Sequence, residues 1–356
     1  MSPAVLTAIR TGQGQAEKGA VLVTGGAGYI GAHTAKALAE AGWRPIVYDN
    51  LSTGFREAVL WGEFVFGDVM DKAKLAETMR RYDVKAVIHF ASLIEVGRSV
   101  IRPDLFWQQN VLGVMSILEA MREASVPRLI FSSSAAVYGE AAAPGALLTE
   151  DLPKNPSSPY GDTKLSAERM IQSYCRAFGM TGLALRYFNA AGAAPCGLIG
   201  EAHEPETHLI PLAIRAAMGQ GDPLKVFGDD FETPDGSGVR DYIHVCDLAD
   251  AHVAGLTAPI AEGAFEAVNV GTGKGCSVFE VIDQVEAAIG RPVPRSIAPR
   301  RPGDPASLVA DASRAGRLLD WTPRMSSLVN IVATAAAWHA DQRYGATQAA
   351  KYAAAG

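Results

Sequence analysis

The sequence predicts an α/β protein in which a doubly wound parallel sheet is followed by a smaller C-terminal lobe. Three observations support this prediction. Short apolar segments alternate with helical patterns through the first half of the chain. A glycine-rich turn joins the first strand to the first helix, and after Asn189 the sequence changes to loops rich in Pro, Gly, Asp and Glu.

The first elements form a βαβ unit, in the segment AVLVTGGAGYIGAHTAKALAEAGWRPIVYDN. A short apolar strand leads into the glycine turn, and apolar residues at helical spacing follow until Gly42, where the helix is expected to end. The second strand is expected at residues 45–48. A strand, a helix and a second strand in this order build a parallel pair.

The same alternation continues along the chain. Further strands are predicted near residues 64–66, 86–90, 129–132 and 182–185. Helical patterns are predicted near residues 71–81, 104–123, 160–178 and 326–339.

Composition excludes several classes of protein. The net charge of -6 and the absence of a lysine- and arginine-rich block argue against a nucleic-acid partner. No apolar run reaches the roughly 18 residues that cross a membrane, and the start lacks the features of a signal peptide, so we expect a cytoplasmic protein without membrane contact. The 4 cysteines form no CxxC pair, which favours reduced thiols, and no metal site is predicted.

The glycine turn TGGAGYIG has the spacing of a nucleotide-binding turn. Gly25, Gly28 and Gly31 are spaced GxxGxxG, and Gly26 completes a GxGxxG pattern. Glycine allows strained dihedral angles and close approach of a pyrophosphate, and the helix that follows offers free N–H groups to the phosphates. Asp49 ends the next strand, 21 residues after Gly28. A carboxylate there accepts hydrogen bonds from an adenosine ribose and repels a 2′-phosphate, which favours NAD over NADP.

The segment SPYGDTK places a tyrosine and a lysine one helical turn apart. Because a helix begins here, Tyr160 and Lys164 share a face and can act on one point. A tyrosine with its ordinary pKa near 10 is a poor base at neutral pH, but a nearby ammonium group and a positive nicotinamide ring both favour the phenolate. The pair therefore predicts a proton acceptor.

Serines end the strand in LIFSSSAAVYG. The carboxyl ends of parallel strands face the ligand crevice of such a sheet, so a hydroxyl at Ser132–Ser134 can orient a reacting oxygen. On their own these serines are more typical of a turn that satisfies its own backbone. Their combination with Tyr160, Lys164 and the glycine turn favours the catalytic interpretation.

Together these segments resemble the UDP-glucose 4-epimerases of the extended short-chain dehydrogenase/reductase family, whose fold is Rossmann-like. The resemblance extends over residues 20 to about 340, and the motifs that carry it, in chain order, are TGGAGYIG, DNLSTG, IFSSSAAVYG, SPYGDTK, LRYFNAAG, GVRDYIHV and APRRPGD.

The resemblance implies a reaction that interconverts UDP-glucose and UDP-galactose. Tyr160 would remove the proton of the sugar 4-hydroxyl while the C4 hydride passes to bound NAD, which gives a 4-keto sugar. Lys164 would lower the pKa of the tyrosine and hold the nicotinamide ribose, and Ser134 would hydrogen-bond the reacting oxygen. The keto sugar would then rotate about its link to the nucleotide and present its other face to the NADH. Return of the hydride to that face would invert the configuration at C4.

The resemblance also implies two sets of binding residues. The set that would contact NAD is Gly25, Gly28, Tyr29, Ile30, Gly31, Asp49, Asn50, Asp68, Val69, Phe90, Ala91, Ser92, Gln109, Tyr160, Lys164 and Phe188. The set that would contact the UDP-sugar is Ser134, Asn189, His208, Leu209, Phe227, Arg240, Arg301, Asp304 and Leu308. The chain departs from the family pattern at Ile94, Gln109 and His208.

Other activities stay open beside this one. A dehydratase needs an acid and a base after the serine, where Ala135 and Ala136 can transfer no proton, so this activity is disfavoured. A reductase that releases its NADH uses the same three residues. An epimerase of UDP-N-acetylhexosamine or UDP-arabinose is also possible, because Leu308 replaces a larger ring that closes the sugar pocket in some relatives. Strand alternation does not decide whether Leu308 or Val309 points into that pocket.

The resemblance and the changes in composition along the sequence predict the domains of the chain and its association. A homodimer joined by the helices near residues 104–123 and 160–178 is expected. The predicted parts are a flexible extension at residues 1–18, an NAD-binding domain at 19–188 with a return near 240–260, a substrate-binding lobe at 189–239 and 261–342, and a flexible tail at 343–356.

Overall fold

The computed structural model describes residues 18–139, 145–301 and 304–345. Its central feature is a 7-stranded sheet with the order β10-β6-β5-β4-β1-β2-β3, in which every neighbouring pair is parallel. The predicted doubly wound sheet is therefore confirmed. Its strands are β1 Ala20–Thr24, β2 Arg44–Asp49, β3 Glu63–Phe66, β4 Val84–His89, β5 Arg128–Ser134, β6 Thr181–Tyr187 and β10 Phe265–Val270.

Helices cover both faces of this sheet. Successive residues of β1 alternate between the two layers: Ala20 and Leu22 belong to one apolar core, and Val21 and Val23 belong to the other. The helices of this part of the chain are α1 Tyr29–Glu40, α2 Lys72–Arg81, α3 Val96–Ile101, α4 Pro103–Trp107, α5 Gly113–Glu123, α6 Pro159–Phe178, α8 Val245–Gly255 and α10 Ser313–Leu319.

The smaller lobe has its own apolar core, built by three helices. Its helices are α7 Leu209–Ala217, α9 Val278–Ile289 and α11 Leu328–Ala340. Its strands are β7 Asn189–Ala191, β8 Leu224–Phe227, β9 Val239–His244, β11 Gly275–Ser277, β12 Arg295–Ala298 and β13 Ser307–Leu308.

The chain's return to the large sheet is longer than the sequence predicts. Helix α8 lies within the expected return, but β10 follows it and pairs with β6 along its whole length. Alternation along the chain does not tell which sheet a strand joins, because the pairing of β10 with β6 is a contact between segments that are distant in sequence.

Two other expectations change in detail. The helix expected at residues 104–123 is interrupted by a π-helical segment, Gln108–Leu112, between α4 and α5. The expected flexible tail contains a packed residue, since Tyr344 is buried and its ring lies 4.9 Å from that of Trp338. The predicted extension at residues 1–17 and the rest of the tail lie outside the described residues. No helix in the described part of the chain is long and apolar enough to cross a membrane.

Candidate active site

The candidate active site lies at the carboxyl ends of β1, β4, β5 and β6. The four strands are neighbours in the sheet, so the glycine turn after β1, Phe90 after β4 and Ser134 at the end of β5 meet at one edge. Helix α6 begins beside this edge with Tyr160 and Lys164 on its first turns. The predicted catalytic and nucleotide-binding residues therefore come from separate elements to one crevice.

The glycine turn packs backbone directly against backbone. Gly25 has φ of +72°, and a Cβ there would lie 2.6 Å from the nitrogen of Ala91. A Cβ on Gly31 would lie 2.2 Å from the carbonyl oxygen of Gly25, so neither position accepts a side chain. Among the described residues, the one atom that a Cβ on Gly28 would approach is the Gly25 oxygen at 3.3 Å, and no side chain caps α1. Free N–H groups beside open space fit the pyrophosphate of a dinucleotide.

Asp49 joins the end of β2 to the glycine turn. One carboxylate oxygen accepts the N–H of Ala27 at 3.0 Å, and the other accepts that of Leu51 at 2.7 Å. Burial raises the pKa of Asp49, and these two hydrogen bonds oppose the rise. Because each carboxylate oxygen has a second lone pair, Asp49 can still accept hydrogen bonds from a ribose.

The other residues of the predicted cofactor set have the following places in the structure. The amide of Asn50 donates to Asp68 at 2.9 Å, which joins the ends of β2 and β3. The Tyr29 hydroxyl donates to the Gly192 carbonyl at 2.6 Å, so the proton of this hydroxyl is already used in a hydrogen bond within the protein. Phe90 packs on the ring of His252 at 4.7 Å. Three further members are Val69, which is buried, Ile30 in the first turn of α1, and Gln109 in the π-helical segment.

Lys164 is fixed by two hydrogen bonds at the bottom of the crevice. Its Nζ donates to the Ser92 hydroxyl at 3.0 Å and to the Ser132 carbonyl at 2.8 Å, and the residue is 2% exposed. Burial lowers the pKa of Lys164 to about 7, while the carboxylate of Glu168 acts in the opposite direction. Its ammonium group is held at a fixed place beside Tyr160, with an Nζ-to-ring distance of 5.8 Å.

Tyr160 and Ser134 interact through their hydroxyl groups. Burial raises the pKa of Tyr160, and the hydrogen bond with Ser134 lowers it. Ser134 also accepts the N–H of Ala136 at 3.1 Å, which turns the chain away from the end of β5. A phenol, a hydroxyl and an ammonium group thus converge where a substrate oxygen could bind both hydroxyls.

Apart from Ser134, the predicted substrate residues lie after β6, most of them on the smaller lobe. The Asn189 amide donates to the Asp241 carbonyl at 3.1 Å, Arg240 pairs with Asp304, and the Arg301 guanidinium lies 3.9 Å from the centroid of the Phe227 ring. Arginines held in this way keep N–H groups for phosphate oxygens. His208 and Leu209 stand at the start of α7.

Leu308 belongs to the side of the smaller lobe that faces the catalytic loop. It packs with Phe188 against an apolar cluster that contains Ala135 and Val137, immediately after Ser134. Val309 is buried, and its carbonyl accepts the N–H of Leu148. Of the two residues that the sequence could not separate, Leu308 is the one that packs against the cluster containing Ala135.

A family model described as the NAD dependent epimerase/dehydratase family matches residues 21–271. The chain belongs to this family. The glycine turn and Asp49 had predicted the NAD dependence that defines it. The match begins at β1 and ends just after β10, so it covers the whole 7-stranded sheet.

Individual members of the family are similar over nearly the whole chain. UDP-glucose 4-epimerase from Halalkalibacterium halodurans is 45% identical over 92% of this chain and 97% of its own. The enzyme of the same name from Rhizobium meliloti is 45% identical over 91% and 98%. The resemblance found from the sequence motifs is therefore confirmed.

Solved structures of the family superpose on this fold. UDP-glucose 4-epimerase from Brucella ovis in complex with NAD has a TM-score of 0.85 and 49% identity, and the match covers 89% of this chain and 97% of that one. The enzyme from Bifidobacterium longum in complex with NAD+ and UDP has a TM-score of 0.86 and 38% identity over 91% and 98%.

Asn110 stabilises the loop beside the candidate site. Its role is not predicted from the sequence. Its amide accepts the N–H of Leu93 at 2.8 Å and donates to the Leu93 carbonyl at 3.0 Å, which fixes the loop after β4. It also donates to the Thr163 hydroxyl on α6 at 3.2 Å. The sequence holds no local signal for this role, because Leu93 and Thr163 are distant from Asn110 in the chain.

A buried ion pair fixes the strand that carries Ser134. Arg186 on β6 and Glu168 on α6 pair at 2.6 Å with side chains 6% and 3% exposed, and Glu168 accepts the Ser133 hydroxyl at 2.6 Å. Arg186 also donates to the Tyr138 hydroxyl at 3.0 Å. The network ties β5, β6 and α6 together beside the candidate catalytic residue Ser134, and no pattern in the sequence predicts it.

Proposed function

We propose that this chain interconverts UDP-glucose and UDP-galactose by inversion at C4 through a 4-keto intermediate. The observation that carries the proposal is the convergence of Tyr160, Ser134 and Lys164 beside the backbone cradle of the glycine turn. The similarity to enzymes named UDP-glucose 4-epimerase supports it.

Each of the three residues has a role that follows from its contacts. Tyr160 accepts the proton of the sugar 4-hydroxyl and later returns it. Ser134 hydrogen-bonds both the tyrosine and the substrate oxygen, so it keeps the proton path short. Lys164, held by Ser92 and Ser132, provides positive charge that favours the phenolate of Tyr160. NAD, when bound, supplies the acceptor and donor of the hydride.

The cofactor and substrate residues divide between the two parts of the chain. The glycine turn and Asp49 hold the dinucleotide, with Asn50, Asp68, Phe90 and Gln109 around it. Asn189, Phe227, Arg240 and Arg301 hold the UDP group from the smaller lobe. A sugar anchored through its diphosphate is free to present either face of C4 to the cofactor, which inversion requires.

A related UDP-sugar is the second candidate, and Leu308 is the residue that favours it. Leu308 packs against the apolar cluster that contains Ala135, and Ala135 follows Ser134 in the chain. A leucine is smaller than a tyrosine ring, so space remains for a 2-acetamido group on the sugar.

The test of the proposed function is incubation of the purified chain with UDP-galactose and no added NAD, with chromatographic separation of the C4 epimers. UDP-glucose should form in a constant ratio to UDP-galactose at equilibrium, because no net oxidation occurs. A reductase would need added NADH and would consume it. A panel with UDP-N-acetylglucosamine and UDP-arabinose then ranks the substrates.

We also propose that the chain forms a homodimer in the cytoplasm. Large apolar side chains are exposed on and beside the helices that would form the interface, and they are Val100, Ile101, Trp107, Leu112, Met115 and Phe178. The four cysteines are free, as expected in a reducing compartment. Light scattering on the purified chain tests the association, and fractionation of cells that express it tests the compartment.

A further inference from the structure

Four side chains of the segment before α7 form a compact cluster outside the three catalytic residues. They are Glu201, His203, Glu206 and His208, which we call the Glu-His cluster, and one ligand atom from each lies within 4.8 Å of all the others. The His203 Nδ1 lies 3.0 Å from a Glu201 oxygen, and the His208 Nδ1 lies 2.9 Å from an oxygen of Glu201 and 2.9 Å from one of Glu206.

Both carboxylates of the cluster are buried, while both imidazoles reach the surface. The Glu201 and Glu206 side chains are 4% and 1% exposed, and those of His203 and His208 are 24% and 42% exposed. Two buried negative charges close together are unfavourable without a compensating cation. The two histidines open a path from solvent to these charges.

One carboxylate oxygen of Glu206 has no hydrogen-bond partner among the described residues. Its Oε1 accepts the N–H groups of Thr207 and His208, at 2.8 and 2.9 Å, as well as facing the His208 ring. Its Oε2 is buried and has no hydrogen-bond partner among the described residues. A buried carboxylate oxygen without a partner is costly, and it points to a ligand that the side chains alone do not provide.

We propose that the Glu-His cluster binds one divalent transition-metal ion, with zinc the best match to its ligands. Two imidazoles and two carboxylates are a complete four-coordinate set for zinc, whereas magnesium and calcium prefer oxygen ligands alone. A tetrahedral zinc ion holds its ligand atoms roughly 3.2–3.6 Å apart. The separations in the cluster begin at 2.9 Å and stay within 4.8 Å, so modest side-chain movement gives this geometry.

The metal would fix residues 201–208 at the place where they contact Trp338 and Tyr29. The Glu201 carbonyl accepts the indole N–H of Trp338 at 2.7 Å, and the His203 ring lies 6.1 Å from that of Tyr29, beside the glycine turn. His208 immediately precedes α7. An ion bound through the His208 Nδ1 fixes the start of α7, and the Nε2 atom of the same ring is not needed for this coordination.

The competing explanation is that a protonated histidine, without a metal ion, compensates the charge of the two carboxylates in the Glu-His cluster. Burial lowers the pKa of His208, but the carboxylates of Glu201 and Glu206 outweigh this effect and raise it well above its usual range. An imidazolium compensates one negative charge and leaves the Glu206 Oε2 without a partner. Zinc titration separates the two explanations, since a proton-held cluster has no need of a metal.

The experiment uses the full chain produced without a polyhistidine tag. After dialysis against a chelator, zinc chloride is titrated by calorimetry, and cobalt chloride is titrated by visible absorption, which is intense for four-coordinate cobalt. The wild-type chain should bind about one ion per chain. Glu206→Gln keeps the shape but removes the charge, and it should weaken binding at least about 10-fold. The matched control Glu204→Gln alters an exposed acid of the same loop and should bind as the wild type does.

His203→Ala provides a second variant because His203 is partly exposed and its loss leaves the core intact. It should also weaken zinc binding, and circular dichroism verifies that each variant is folded. Absence of zinc and cobalt binding by the wild type at micromolar concentration overturns the proposal. So does equal weakening in Glu204→Gln, or unchanged affinity in both cluster variants. None of these readouts measures epimerase activity, so they stand apart from the proposed function.

Discussion

The Nζ of Lys164 lies 5.8 Å from the centroid of the Tyr160 ring, and its hydrogen bonds go to Ser92 and Ser132. These hydrogen bonds engage the ammonium group with serines, so we propose that the lysine acts on the tyrosine through its charge and not as a direct proton donor. Because both residues are buried, this charge is less screened than it would be in water.

Replacement of Tyr160 by phenylalanine should remove the proton acceptor and leave the crevice intact. We expect turnover to fall at least about 10²-fold, with NAD still bound, and we measure epimer formation together with the NAD content of the purified protein. Tyr174→Phe is the matched control on the same helix, since its hydroxyl bonds the partly exposed Glu119 at 2.7 Å. Near wild-type turnover in Tyr160→Phe would end the proposed role.

Ionisation of Tyr160 should depend on the charge of the cofactor. Burial raises the pKa of Tyr160, so a positive nicotinamide ring must offset that effect. The phenolate should form at lower pH with NAD bound than with NADH bound, because the reduced ring is neutral, and turnover should rise with pH through the same range. Tyrosinate absorbance of the wild type minus that of Tyr160→Phe gives the titration. Identical curves with the two cofactors would contradict this mechanism.

Loss of Glu168 should destabilise the fold more than loss of an exposed acid. Glu168→Ala leaves the buried Arg186 without its partner, which costs about 3–5 kcal/mol in free energy of unfolding. Glu40→Ala breaks an exposed pair with Lys36 on α1 and should cost under about 0.5 kcal/mol. Denaturant unfolding of both variants tests the difference. Similar costs would mean that the Arg186 network contributes little to stability.

Substitution Leu308→Tyr should narrow the sugar pocket. We expect measurable epimerisation of UDP-N-acetylglucosamine by the wild type and a selective loss of that activity in the variant, because added bulk opposes the acetamido group more than a hydroxyl. The measurement is kcat/KM for both sugars, and Leu308→Ile, which adds no bulk, is the control. An equal loss with both sugars, or no activity on the acetylated one in the wild type, removes Leu308 from the pocket.

The proposed dimer should depend on the apolar surface of α5. Met115→Lys puts a charge on an exposed apolar residue of that helix and should shift the molecular mass by light scattering toward that of the monomer. Val329→Lys makes the same change on α11, where Val329 is 58% exposed, and should leave the mass unchanged. A wild-type chain that is monomeric at micromolar concentration refutes the dimer.

The sequence by itself determined the features that depend on neighbouring residues. Strands and helices of the first half follow from apolar periodicity, and the glycine turn follows from the dihedral angles and close contacts that only glycine allows, as at Gly25 and Gly31. Tyr160 and Lys164 lie together because both belong to one helix. Spacing along a single element is a local property, so it can be read from the chain directly.

Tertiary structure alone decided the contacts between distant segments. Glu168, Arg186 and Ser133 come from α6, β6 and β5, and no pattern in any one of these elements indicates their pairing. Strand β10 joins the large sheet through its register with β6, and packing beside Ala135 distinguishes Leu308 from Val309. The Glu-His cluster needs the fold for the same reason, since burial leaves the Oε2 of Glu206 without a partner. Periodicity along the chain indicates which face of an element is buried, but the partners that a side chain meets across elements are set by how the layers pack.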